Sequence, residues 1–213
     1  MDELELLKKD WKKDNSKYPK LSYDEIYKMI LKKSSSIVKW IFIISLLEFA
    51  FWILISFALK DTKIMENVQA LNMNHILIPL TIISYIVLIY FFYLFYKNYK
   101  NIAATDSTKR LMENILKTRR TVKYYVYFNL ASLVVGTAIG LSYLFKNDEN
   151  IASQLDIASA NGGVFKTYAL IIIVTVLMLA VMVGILLLFY RVVYGILLKR
   201  LNGNYKELKK LEV

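Results

Sequence analysis

One carboxylate lies where a carboxylate is costly. Glu48 falls inside an otherwise uncharged apolar run, Trp40–Leu59, about eight residues or roughly 12 Å of helix beyond Trp40. An ionisable group at membrane depth costs about 2.5–3.5 kcal/mol or more and faces a bundle interior or a cavity. Ser45, Glu48, Trp52 and Ser56 share one helical face, so the polar atoms of this run point one way. Two roles fit: a proton, cation or ligand site, or a structural residue satisfied by its neighbours. Partners at comparable depth are Thr81, Ser84 and Tyr85 in a second apolar run and Asn129 and Ser132 in a third. Arg191 is a possible counter-charge, although reaching Glu48 means bending away from an easier snorkelling position.

Other chemistry finds little material. The chain has no cysteine and one histidine, His75, which removes thiolate chemistry and multi-histidine metal centres. No HExxH, dinucleotide fingerprint or Ser-His-Asp arrangement can be assembled. Gly162-Gly163-Val164-Phe165-Lys166-Thr167 lacks the glycine that precedes the lysine of a phosphate loop and follows no strand. The expectation is a protein that is not an enzyme and needs no metal or cofactor.

The elements that must position Glu48 are four apolar stretches, about 40–59, 76–96, 124–145 and 167–190. Each reaches the roughly 20 residues that cross a hydrocarbon core ~30 Å thick. Hydrophobic residues make up 57% of the 213-residue chain, more than an ordinary soluble domain carries. Lys and Arg number ten in residues 1–39, eight in 97–123 and six from Arg191 onward, against two each in 60–75 and 146–167. Cytoplasmic segments are the ones enriched in these residues. The expected fold is therefore all-α and polytopic, with four transmembrane helices, both termini cytoplasmic, and short amphipathic helices on that side. Tyr93, Tyr96, Tyr99, Tyr124, Tyr125, Tyr127, Tyr190 and Tyr194 cluster at the same ends, as an interfacial aromatic belt would. The organisation reads as a segment 1–36, a bundle 37–198 with a basic loop 97–123, and a tail 199–213.

Leu4, Leu7 and Trp11 form one apolar stripe, and Ser22-Tyr23-Asp24-Glu25 fits a capping box opening a helix with Ile26, Met29 and Ile30 on one face. Leu4, Leu7, Trp11, Ile26 and Ile30 are candidate partner-binding residues. These segments form a helical cap beneath the bundle or lie flat on the membrane. The run Ser34-Ser35-Ser36 flexes or stays helical, and Asn202-Gly203-Asn204 interrupts the apolar spacing of the tail. Gly136 and Gly140 make a GxxxG, and Ala180 and Gly184 a small-xxx-small pair, suited to close helix packing within the bundle or between copies. The basic loop fits anionic headgroups at the cytoplasmic face rather than nucleic acid.

The opening Met1-Asp2-Glu3-Leu4-Glu5-Leu6-Leu7-Lys8-Lys9-Asp10-Trp11-Lys12-Lys13, followed by Tyr18-Pro19-Lys20-Leu21-Ser22-Tyr23-Asp24-Glu25-Ile26-Tyr27, resembles a family of uncharacterised four-span inner-membrane proteins of Bacteroidota. The resemblance implies the bacterial cytoplasmic (inner) membrane and no particular chemistry. Members are sometimes labelled carotenoid oxygenases, β-propellers that hold iron with four histidines, a fold and ligand set this chain lacks. The resulting expectation is a membrane adaptor or regulator presenting helices to a protein partner at the cytoplasmic face. The alternative is a small oligomeric transporter, channel or lipid-binding protein that uses Glu48.

Overall fold

The computed structural model describes residues 21–62, 66, 73–147, 151, 153, 157 and 163–211. They form four long helices: α1 (Tyr23–Leu59), α2 (Asn74–Ala103), α3 (Thr108–Asn147) and α4 (Val164–Leu211). No strand occurs among the described residues. All four helices are long and apolar enough to cross a membrane, which marks a multi-pass membrane protein. Neighbours in sequence are neighbours in space, and α4 closes the ring against α1. Leu4, Leu7 and Trp11 lie outside the described residues.

The helices overrun the apolar stretches at one end only. At 1.5 Å per residue, α1 begins about 25 Å before Trp40 and α4 continues about 30 Å beyond Tyr190. The boundaries anticipated at 36/37 and 198/199 fall inside α1 and α4. The described parts of the basic segments are thus extensions of the spans, bundled together. α1 starts on the anticipated capping box: the Ser22 N–H donates to Glu25 Oε2 at 2.8 Å, and the Glu25 N–H donates to Ser22 Oγ at 3.3 Å. A four-residue turn, 104–107, joins α2 to α3 at this basic end.

Heptad spacing explains why the extensions stay together. The inward positions are Ser34, Val38, Ile41, Ser45 and Glu48 on α1, and Phe91, Phe95, Asn98 and Ile102 on α2. On α3 they are Thr108, Leu111, Ile115, Thr118, Val122 and Tyr125; on α4, Tyr190, Tyr194, Leu201, Asn204 and Leu208. Each set repeats at three- and four-residue steps, apart from one full heptad between Tyr194 and Leu201 on α4, and forms the seam of a coiled coil. The seam is punctuated by polar layers. Asn204 Nδ2 donates to Ser34 Oγ at 2.9 Å, and Asn98 Nδ2 to Thr121 Oγ1 at 3.1 Å. The anticipated interruption at Asn202-Gly203-Asn204 is such a layer: α4 runs through it, with Asn202 Oδ1 accepting from Arg119 at 2.8 Å. A glycine inside a helix costs about 1 kcal/mol, and the flanking asparagines hold the turn to α1 and α3. Ser34-Ser35-Ser36 stays helical for the same reason, with Ser34 fully buried.

The other half of the bundle is built differently. Beyond Glu48, Phe91, Tyr125 and Tyr190, no described residue of the four helices is buried. A Cβ placed on Gly136, Gly140 or Gly184 would meet nothing within 4 Å, and Ala180 is exposed. The small-residue faces therefore make no close helix contact among the described residues.

Candidate functional site

Glu48 occupies the last buried layer before the bundle opens. It lies one heptad beyond Ile41 and two beyond Ser34, so the phase that packs the α1 extension also turns its carboxylate inward. Only 9% of Glu48 is exposed. Three phenols satisfy it: Tyr125 donates to Oε2 at 2.9 Å, Tyr190 to Oε1 at 2.5 Å and Tyr194 to Oε2 at 3.2 Å. One comes from α3 and two from α4, so the carboxylate ties three helices together. Phe91 and Phe95 of α2 complete the layer, meeting the Tyr125 ring edge-on with centroids 5.7 and 5.5 Å away.

These tyrosines are a correction to the aromatic belt. Tyr124 and Tyr127 are 63% and 65% exposed, as belt residues should be, but Tyr125, Tyr190 and Tyr194 are 2%, 5% and 1% exposed. Their position at the ends of apolar stretches concealed the role. The signal that finds them is phase: Tyr125 follows Leu111 by two heptads, and Tyr194 precedes Leu201 by one.

The other candidates separate by distance from this layer. Ser45 is buried one turn below Glu48 and donates to the Phe42 carbonyl at 2.8 Å. Asn129 and Tyr85 line a cavity beside Glu48; the Asn129 amide donates to the Tyr125 carbonyl at 3.1 Å. Ser132 is half-buried on α3 and is not among the residues lining that cavity. Thr81 is exposed, and Ser84 donates to its own helix at Leu80. Arg191 is exposed and does not supply the counter-charge. Ile30 is 3% exposed, and Ile26 packs beside it in the core of the basic half. That face of α1 is taken up within the chain.

Two spaces meet at Glu48. One is a cavity of about 280 Å³ between the helices, walled by Phe49, Trp52, Tyr85, Leu133, Met182 and Tyr190 among others. The second is a groove of about 890 Å³ between α1 and α4, lined by Ile44, Leu47, Phe51, Val181, Ile185 and Phe189. Glu48, Trp52, Met182 and Leu186 belong to both. A carboxylate accepting three hydrogen bonds at the floor of an aromatic cavity can bind a cation or a donor, and it can hold the helices in register. No group of three or more metal-ligating side chains occurs among the described residues.

No curated protein and no solved structure matches the chain. A family model described as "Domain of unknown function (DUF8845)" matches residues 24–213, a span that contains all of the four helices but Tyr23, and the Glu48 layer with them. By that match, the chain belongs to the DUF8845 family.

Proposed function

We propose that this is a non-enzymatic regulatory receptor of a bacterial cytoplasmic membrane. It binds a small ligand at the Glu48 layer and signals its occupancy through the helical extensions at the basic end. The excess of Lys and Arg at that end supports a cytoplasmic location for both termini, where anionic headgroups also favour it. The observation that carries the reading is continuity. The helix that supplies Tyr190 and Tyr194 to the site continues without a break to Leu201, Asn204 and Leu208 in the basic half. Glu48 and Ser34 share α1 in the same way. A change in how Glu48 holds α4 therefore acts on the elements that form the far end, as a two-state coupling requires.

Burial of Ile26 and Ile30 bears on the output surface. A protein partner would engage the outside of the basic half, or the stripe Leu4, Leu7 and Trp11, rather than this α1 face. Function as a small oligomeric transporter, channel or lipid-binding protein remains the second reading, favoured by the open half of the bundle next to the site.

Native mass spectrometry of the full chain, released from bilayer nanodiscs prepared from its own membrane, tests the binding half of the proposal. A small molecule retained on the wild type and lost from Glu48→Gln at equal thermal stability is expected. A ligand-free wild type overturns the receptor reading.

A further inference from the structure

The groove and the cavity together define a ligand class, an inference that rests on the reading of Glu48 as a binding site. We infer that the ligand is a lipophilic organic cation, carrying a quaternary or protonated amine-type centre on an apolar body, which enters from the bilayer between α1 and α4.

Four features select that class. The groove lining is apolar along both helices, from Ile44 to Phe51 on α1 and from Leu177 to Phe189 on α4, so its occupant must be comfortable in hydrocarbon. Its inner end reaches a carboxylate that no lysine or arginine pairs with among the described residues. Among the described residues, the only hydrogen bonds to that carboxylate are from tyrosine hydroxyls, and three of them leave acceptor capacity on a group that offers about four lone-pair sites. The cavity around it presents the rings of Phe49, Trp52 and Tyr85 beside those of Tyr125 and Tyr190, and aromatic faces attract cations, quaternary ammonium groups especially.

The competing classes fit less well. An anionic amphiphile would set like charges together in a site of low dielectric. A bare Mg²⁺ or Ca²⁺ is held mainly by carboxylate and carbonyl oxygens, whereas this lining offers one carboxylate and the Asn129 amide, its other side-chain oxygens being the hydroxyls of Ser56 and three tyrosines. A neutral hydrocarbon would fill the groove but leave the carboxylate unused.

The test is equilibrium binding of tetraphenylphosphonium to the full chain in nanodiscs of zwitterionic lipid, with triphenylphosphine oxide as a neutral comparison. Saturable binding of the cation is expected, at least tenfold tighter than that of the neutral compound. Glu48→Gln should weaken cation binding at least tenfold. Met182→Trp, which fills the wall shared by groove and cavity and leaves the Glu48 layer in place, should weaken it as well, so a folding defect in Glu48→Gln does not decide the outcome. Cation binding equal to that of empty nanodiscs, or unchanged by both substitutions, overturns the inference. Glu48-dependent binding of the neutral compound alone would overturn the cation class yet leave the receptor reading standing. That reading fails separately, if native mass spectrometry finds no molecule retained through Glu48.

Discussion

At the scale of single residues, the Glu48 layer distributes its hydrogen bonds unequally, and this sets the order of effects. Tyr190 reaches Oε1 at 2.5 Å without a competitor, whereas Tyr125 and Tyr194 share Oε2 at 2.9 and 3.2 Å. Interhelical hydrogen bonds in membrane proteins contribute about 0.6 kcal/mol on average and up to roughly 1.7. Tyr190→Phe should therefore lower unfolding free energy by about 1–1.7 kcal/mol, the upper part of that range, in a steric-trapping or detergent-titration experiment. Tyr194→Phe should cost less, and the double variant should depart from additivity because both donors serve one carboxylate. Arg191→Ala should leave stability unchanged within experimental error, since the side chain is exposed. The position of Glu48 was legible in the sequence because it is the one charge in an apolar run, and hydrocarbon makes a charge informative. Its partners were not. A tyrosine at the end of a span is ambiguous between belt and core, and only the heptad phase running in from Leu111 and Leu201 separates Tyr125 from Tyr124.

The elements show the same contrast between apolar pattern and polar layer. Spans and their number could be read from hydropathy alone, and the start of α1 from the Ser22–Glu25 pair. Helix continuity through Ser34-Ser35-Ser36 and Gly203 could not, because the seam is polar there and its support comes from another helix. The Ser34–Asn204 bond should appear in a double-mutant cycle of Ser34→Ala and Asn204→Leu as a coupling of about 1 kcal/mol. Asn204→Leu alone should be the harmful change, as it leaves a buried hydroxyl without its donor.

The α1 cap adds a pH dependence. The Glu25 carboxyl is held below the usual carboxylate range, first by the backbone N–H of Ser22 and then by its hydroxyl. Since the folded value is the lower one, the cap contributes fully above the unfolded carboxylate pKa and is lost as pH falls through the depressed value. The protection factors of the amides in the first turn of α1 should fall on acidification, and Glu25→Gln should abolish that pH dependence. Gly136→Ala tests the open face of α3. With nothing within 4 Å of a new Cβ, it should be neutral or stabilising by up to about 1 kcal/mol. A marked loss would mean that a second copy packs there.

For the whole molecule, the division into a closed basic half and an open half with Glu48 between them is the central feature. The closed half is a coiled-coil-like rod whose inward residues alternate between aliphatic layers and hydrogen-bonded layers. Such a rod has discrete packings rather than continuous deformability, so a bias applied at one end can be read at the other. The chain contains no cysteine, so spin labels can be placed uniquely at Lys28→Cys on α1 and Lys206→Cys on α4, both exposed in the basic half. The measurement that bears most directly on the account is the distance distribution between these labels, by double electron–electron resonance in nanodiscs, with and without Glu48→Gln. A shifted or broadened distribution is expected in the variant while the bundle remains folded. Superimposable distributions would contradict it, since the Glu48 layer would then have no influence on the end through which it is proposed to act.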